Sequence, residues 1–227
     1  MENYVSMDSG NILFLLIGAV MIFSMHAGFA FLEVGSVRKK NQVNALNKII
    51  FDWAISTIVY FVIGFPISYG IKSFTFWQNA NVLMETGSIE MIRFFLLLGF
   101  AACIPAIISG GVAERAKFWT NSVAGAVFVG LAYPFVESAV WGQLNLFGPG
   151  SWLEQLVGTP FKDYAGSVVV HSMGGWLALP AIILLGPRRK RYLNDGTSSP
   201  ITVSSIPFLA LGSWVLCVGW FGFNVMS

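Results

Sequence analysis

Two ionisable residues, Asp163 and His171, stand eight positions apart at the head of a long apolar run. The run extends from Asp163 to Gly186 and reads DYAGSVVVHSMGGWLALPAIILLG. It is long enough to cross a bilayer, which requires about 20 residues. An ionisable group inside such a segment is costly, and it usually lines a pathway or pairs with a partner. The arrangement therefore predicts a membrane protein that moves or senses something polar.

Trp141, near the end of another apolar run, is a second residue that could bind a solute. A tryptophan face is the best of the cation–π partners and contributes about 2 kcal/mol or more when it is desolvated. The alternative is an interfacial tryptophan of the kind common where a span meets lipid headgroups. Glu137 lies one helical turn earlier on a similar face. It could add negative field there, but a solvated interfacial carboxylate is the favoured interpretation.

The composition is that of a membrane protein and excludes several other classes. Hydrophobic residues make up 56% of the 227 residues and charged residues 11%, against about 25% charged in an ordinary soluble domain. The net charge of +2 and the absence of a basic, aromatic-interleaved surface argue against nucleic acid. Two histidines without clustered carboxylates or thiolates predict no metal site and no cofactor. No nucleophile–base pair or phosphate-binding glycine loop indicates an enzyme. The two cysteines, Cys103 and Cys217, are interpreted as core packing.

Six apolar segments have the length of membrane spans, so the sequence predicts an all-α, polytopic integral membrane bundle. Residues 1–227 are expected to form a single membrane domain. The predicted spans are Ile12–Val37, Val43–Gly70, Met91–Ala113, Phe118–Gly142, Tyr164–Gly186 and Ile201–Ser227.

The basic residues predict the orientation of the bundle. Ten of the thirteen lysines and arginines lie on one side, in the turns after the first, third and fifth spans, including the run Arg188–Arg191. Lys72, Arg93 and Lys162 lie on the other side. The positive-inside rule assigns the ten-residue side to the cytoplasm. The N-terminus and the end of the sixth span are therefore expected outside.

Five segments, in order along nearly the whole chain, resemble the first half of an ammonium transporter of the Amt/Rh superfamily. They are AGFAFLEVGSVRKKNQVNALNKIIFD, FAACIPAIISGGVAER, VWG, DYAGSVVVH and WFGFN. The resemblance implies a homotrimer in the cell membrane, a multi-pass protein whose subunits each have a pore built from two halves of inverted topology. It implies ammonium or methylammonium as substrate. It also raises the possibility of a cytoplasmic PII-type signal protein as regulator, which would meet the face that carries Arg188–Arg191.

The resemblance assigns an outer ammonium site and a gate. Trp141 matches the outer-site indole, and Ser227 matches a hydroxyl that accepts a hydrogen bond from the cation. Phe100 and Phe223 match the two rings that block the way below the site. One departure is visible, because many family members have an aromatic residue where this chain has Leu96. The outer vestibule is therefore expected to be weaker or differently shaped.

Two further roles come from the same resemblance. Asp163 is expected to support the cation site from behind, without touching the ligand, and it is also well suited to cap a helix N-terminus. His171 matches the first of two lumen histidines and would accept hydrogen bonds or a proton from the passing species. His26 has no assigned role, and helix packing is its expected function.

The remaining acids receive simpler interpretations. Glu33 and Glu114 lie near the cytoplasmic ends of the first and third spans, close to Arg38 and Arg115, so ion pairs at the membrane edge are expected. Asp52 lies a few residues into the second span and has no explanation from sequence.

The family fold has eleven spans, and its second lumen histidine lies in the second half. We therefore expect that these 227 residues, which would comprise the first half and the start of the second repeat, form only part of a longer transporter and an incomplete conduction path. Two copies inserted in opposite directions are disfavoured by the basic-residue bias. An ammonium sensor with an attached signalling domain and a non-conducting membrane subunit remain alternatives to transport.

Overall fold

The computed structural model describes residues 9–70 and 88–226. Within these ranges six helices of 19 to 31 residues are long and apolar enough to cross a membrane, so the predicted six-span helical fold is confirmed. We label the spans α1, α2, α3, α4, α6 and α7, and a short helix between the fourth and fifth spans α5. Their bounds are α1 Ser9–Ser36, α2 Lys39–Tyr69, α3 Ser88–Gly111, α4 Phe118–Val140, α5 Trp152–Val157, α6 Ser167–Leu185 and α7 Ile206–Asn224.

The last two spans begin later than the sequence predicts because local backbone chemistry delays them. α6 starts at Ser167 rather than Tyr164, since Ala165 and Gly166 adopt left-handed conformations with φ of 55° and 68°. α7 starts at Ile206 rather than Ile201, because Ser205 caps it by accepting a hydrogen bond from the Phe208 amide (3.3 Å). A cap side chain of this kind satisfies an otherwise unpaired amide of the first turn.

Widened, π-helical turns interrupt three of the described spans. The amides of Phe65 and Tyr133 each donate a hydrogen bond to a carbonyl five residues earlier. Each of these two residues is followed directly by a proline. Proline has no amide hydrogen and crowds the preceding turn, so a wider turn relieves the local mismatch. The third such turn, Ser167–Ser172, contains His171. These turns therefore lie in the segments that carry the candidate site.

The first and last described spans pack backbone to backbone. A Cβ atom built on Gly212 of α7 would lie 2.4 Å from the Leu32 amide nitrogen and 2.7 Å from the Gly28 carbonyl oxygen of α1. A Cβ atom on Gly35 of α1 would lie 2.6 Å from the Leu209 amide nitrogen. Small residues at such positions allow close helix association in lipid, where hydrophobic burial between helices adds little.

Replacing Gly212 by alanine is expected to destabilise the protein, because the new methyl group meets backbone atoms of α1 that cannot rotate away. Overpacking of this kind costs about 1–3 kcal/mol. Thermal unfolding of the detergent-solubilised protein, followed by circular dichroism, measures the effect. Gly175→Ala in α6 is the matched control, since a Cβ there has no described neighbour within 4 Å. Equal losses for the two variants would contradict the close contact.

A cluster around Glu114 joins three connections at the basic end of the bundle. The Glu114 carboxylate accepts hydrogen bonds from the Arg38 amide (2.9 Å), the Arg38 guanidinium (3.0 Å) and Asn41 (2.6 Å), and Arg188 lies 3.6 Å away. Burial opposes its ionisation, but these hydrogen bonds and the Arg38 charge outweigh burial and lower the pKa of Glu114.

Arg115, the expected partner of Glu114, has other partners. It donates hydrogen bonds to the carbonyls of Gly186 (2.6 Å) and Gly111. Pairing of Glu114 with Arg115 is therefore not observed.

Glu33 also has a partner other than the expected one. Its carboxylate lies 2.7 Å from the Lys48 ammonium, rather than pairing with Arg38, and it accepts a hydrogen bond from Ser109. The Glu33–Lys48 pair is buried between spans and does not lie in solvent at the membrane edge. Asp52, one turn after Lys48, is buried as well and accepts a hydrogen bond from the Asn121 amide group (3.0 Å).

Candidate functional site

A cavity of about 610 Å³ lies at the end of the bundle opposite the Glu114 cluster. We call it the vestibule. It is formed where α2, α4 and α7 end and where α3 and α6 begin. Its lining side chains include Tyr69, Arg93, Leu96, Phe100, Trp141 and Asp163. Leu96, where an aromatic residue is common in the resembled family, therefore lies on the vestibule wall.

Trp141 and Phe100 meet at the floor of the vestibule. Trp141 follows directly after the end of α4, and its ring packs edge to face against Phe100, with centroids 5.8 Å apart and planes at 86°. The indole nitrogen of Trp141 donates to the backbone carbonyl of Asp163 at 3.2 Å. This hydrogen bond fixes the orientation of the indole relative to the start of α6.

A second aromatic ring packs against Phe100. Phe223 of α7 stacks on Phe100 with centroids 3.9 Å apart and an interplanar angle of 29°, and both side chains are buried. His171 contacts Phe223, with ring centroids 5.2 Å apart, and also contacts Trp220 at 5.0 Å. His171 lines a second cavity of about 500 Å³ together with Ser167, Trp220 and Asn224. Trp141, Phe100, Phe223 and His171 thus form one continuous row.

Asp163 uses its side chain and its backbone for different contacts. Its carboxylate accepts hydrogen bonds from the amides of Val168 (3.2 Å) and Val169 (2.7 Å) at the start of α6. A negative charge there is favoured by both the unpaired amides and the helix dipole. Because its carbonyl accepts the hydrogen bond from Trp141, Asp163 connects the start of α6 to the vestibule floor.

The environment of Glu137 differs from the one that its sequence position predicts. A solvated, interfacial carboxylate was expected, but Glu137 is 0% exposed. Its carboxylate accepts hydrogen bonds from the hydroxyls of Tyr60, Ser68, Tyr69 and Tyr133, at 2.6 to 3.2 Å. The signal that could have found this group is the concentration of hydroxyl residues at the same ends of α2 and α4, since side chains at matching depths of adjacent spans can meet.

The remaining sequence predictions, for one histidine, two cysteines and one serine, have different outcomes. His26 is buried and packs against Trp53 with centroids 4.3 Å apart, which confirms helix packing. Cys103 is buried in the core, but Cys217 is exposed on α7, so core packing was wrong for Cys217. Ser227, the expected hydrogen-bond acceptor of the cation site, lies outside the described residues.

Six membrane-spanning helices with an aromatic row leading inward from one end define a polytopic membrane protein. Residues 13–227 match the family model described as the Ammonium Transporter Family, and the chain belongs to that family. This is a family of transporters rather than of enzymes.

Curated relatives and solved structures agree with this assignment. The chain is 37% identical over 226 residues to ammonium transporter Amt2 of Methanocaldococcus jannaschii, which covers 97% of this chain and 50% of that protein. It is 38% identical over 224 residues to ammonium transporter Amt2 of Archaeoglobus fulgidus, covering 93% of this chain and 46% of that protein. The chain thus spans about half the length of the curated relatives it matches.

Among solved structures, a protein described as Sensor Amt Protein superposes with a TM-score of 0.81 at 35% identity, over 99% of this chain and 55% of that one. Candida albicans Mep2 superposes with a TM-score of 0.73 over 96% of this chain and 48% of that one. At 20% identity, the second comparison supports the fold alone.

Proposed function

We propose that this protein takes part in the transport of ammonium, and of methylammonium as its analogue, across the cell membrane. The observation that carries the proposal is the row from Trp141 through the stacked Phe100 and Phe223 to His171. Membership of the Ammonium Transporter Family supports the same substrate. The vestibule binds the cation, the stacked rings form a gate, and His171 receives what passes the gate.

The chemistry of the row suits a small cation that must lose its water. An uncompensated charge at the bilayer centre costs at least about 2.5–3.5 kcal/mol, so the protein has to replace hydration with other partners. The Trp141 ring offers a π face, and the Asp163 carboxylate adds negative charge close by. Ser227 is proposed to add a hydroxyl acceptor. The two phenyl rings are stacked at contact distance, so they must separate for each passage.

His171 differs from the gate residues because it can exchange hydrogen bonds. A neutral imidazole has one donor and one acceptor nitrogen, and the pKa of a free imidazole side chain lies near neutrality. It can therefore accept a hydrogen bond or a proton from the species that leaves the gate. Its cavity also contains the side chains of Ser167 and Asn224, and Trp220 packs against the imidazole. A second histidine, contributed by the remainder of a longer protein, would complete the lumen.

Assembly and regulation belong to the same proposal. We expect residues 1–227 to form a single membrane domain of a homotrimer, with the first half and the start of the second repeat in this chain. We also expect the basic end, which carries Arg188–Arg191, to face the cytoplasm and to be available to a PII-type signal protein.

Trp141→Leu tests the vestibule directly. We expect methylammonium uptake by the complete gene product in liposomes to fall about 30-fold, because a desolvated cation loses a ring face that contributes about 2 kcal/mol. Trp119→Leu is the matched control, since Trp119 is 68% exposed at the basic end and has no part in the row. Unchanged uptake in Trp141→Leu, or an equal loss in both variants, would remove the vestibule as the substrate site.

The alternative function is an ammonium sensor that shares the vestibule. It is favoured by the similarity to the Sensor Amt Protein, at 35% identity over almost the whole chain. Methylammonium binding without uptake, in a complete gene product that carries a signalling domain, would support the sensor. The same result without such a domain would support a non-conducting membrane subunit.

A further inference from the structure

Glu137 is a buried carboxylate with an unusual set of partners. Both of its oxygens accept hydrogen bonds from hydroxyls: Tyr60 contacts them at 2.9 and 2.8 Å, Ser68 at 2.6 Å, Tyr69 at 3.1 Å and Tyr133 at 3.2 Å. We call Tyr60, Ser68, Tyr69 and Tyr133 the hydroxyl cage. Burying a carboxylate is costly unless hydrogen bonds or an opposite charge compensate for the lost water. Four hydroxyls drawn from two spans supply such hydrogen bonds here.

The cage compensates for the lost water without cancelling the charge. Within residues 9–70 and 88–226, the ion pairs involve Glu33, Glu90 and Glu114, and none involves Glu137. The surroundings beyond the hydroxyls are aromatic, since Tyr60 packs against Phe65 and Phe94 with centroids about 6.0 Å apart. Hydroxyl dipoles solvate an anion but have no net charge. An ionised Glu137 therefore projects its field into its surroundings.

Two connections join this charge to the vestibule. Glu137 lies one turn before Trp141, whose backbone amide donates to the Glu137 carbonyl at 2.7 Å. Tyr69 lines the vestibule with its side chain, while its hydroxyl donates to the Glu137 carboxylate. The Glu137 carboxylate is thus separated from the cavity by about the length of one tyrosine side chain. A unit charge about 10 Å away, at an effective dielectric constant of about 20, changes the occupancy of a cation site on the order of tenfold.

The vestibule also carries a positive charge that such a group would offset. Arg93 lines the cavity, and its guanidinium lies 4.3 Å from the centroid of the Tyr69 ring and 3.5 Å from Glu90. Glu90 offsets part of the Arg93 charge, and the remainder opposes the binding of a cation. Glu137 lies at the hydroxyl end of the same tyrosine, so the ring of Tyr69 lies beside one charge and its hydroxyl contacts the other.

We propose that Glu137, held by the hydroxyl cage, is a field-supplying residue that sets the affinity of the vestibule for a cation. Glu137 acts on the bound cation electrostatically, through space, and does not contact it. It is therefore not part of the pore surface. The inference rests on the proposed function, because it requires a monovalent alkylammonium or ammonium cation in the vestibule. It adds a second acid to Asp163.

The test is methylammonium binding to the complete gene product, measured by isothermal titration. We expect Glu137→Gln to weaken binding about tenfold, since the amide keeps the size and hydrogen-bonding capacity of the side chain and removes its charge. Tyr133→Phe is the matched control, because it removes one hydroxyl from the cage and leaves the charge. It should shift the dissociation constant less than about threefold. Glu137→Asp, which restores the charge, should recover most of the affinity.

The outcomes separate this inference from the proposed function. Wild-type affinity in Glu137→Gln overturns the inference alone. Equal weakening in Glu137→Gln, Glu137→Asp and Tyr133→Phe would indicate that Glu137 only holds the spans together, and it also overturns the inference. A wild-type protein that binds no methylammonium overturns both. Weakening in Glu137→Gln with recovery in Glu137→Asp supports the field-supplying role, even if Glu137→Gln melts at a lower temperature.

Discussion

Replacing Lys48 by methionine is expected to lower the free energy of unfolding by about 3–5 kcal/mol, the cost of leaving one member of a buried ion pair without its partner. The Lys48 ammonium lies 2.7 Å from the Glu33 carboxylate, and the two side chains are only 4% and 6% exposed. Methionine has a similar length and is apolar, so the change removes the charge with little change in packing. Chemical unfolding of the detergent-solubilised protein, followed by tryptophan fluorescence, gives the value.

The double variant Glu33→Gln with Lys48→Met separates charge from packing. Because no anion is then left unpaired, we expect it to recover most of the lost stability. Lys39→Met is a matched control for the loss of a lysine, since Lys39 is exposed at the same end of the bundle. A double variant as unstable as Lys48→Met would show that the cost does not come from the unpaired carboxylate.

Replacing Asp163 by alanine is expected to reduce methylammonium uptake by the complete gene product about 100-fold. Two effects combine, each of about 1–2 kcal/mol: loss of the cap on α6 and loss of a negative charge next to the vestibule. The cap is the pair of hydrogen bonds from the Val168 and Val169 amides. Without it the first turn of α6, which carries His171 and whose preceding loop holds Trp141, loses its anchor.

Asp163→Asn distinguishes the two effects, since asparagine is also a good helix cap but carries no charge. We expect an intermediate loss of about tenfold, the contribution of the charge alone. Uptake equal to wild type in Asp163→Asn would limit Asp163 to capping. Uptake equal to wild type in Asp163→Ala would contradict any role of Asp163 in the vestibule.

The sequence predicts the helices well because each span is a long and predominantly apolar run. Short-range chemistry explains the late starts of two spans: the left-handed pair Ala165 and Gly166 precedes α6, and Ser205 caps α7. Neither a hydropathy pattern nor a span length contains that information. The short helix α5 was not anticipated, because six residues between spans leave no periodic signal.

The candidate site is predictable in a different way. Asp163 and His171 attract attention on physical grounds alone, since ionisable residues are rare in apolar runs. Phe100 and Phe223 do not, because the chain has 20 phenylalanines and only the resemblance singles out these two. Glu137 was misplaced because its environment is built from another span, and spacing along one helix cannot show that neighbour. The same reason hid Lys48 as the partner of Glu33.

The contact between α1 and α7 has a consequence for biosynthesis. The α1 surface around Gly28 and Gly35 is matched to α7 at backbone distance, and α7 is the last described span to leave the ribosome. Until then α1 has lipid or the insertion machinery against the surface it will later bury. Close packing of this glycine surface of α1 is therefore delayed until α7 has been synthesised.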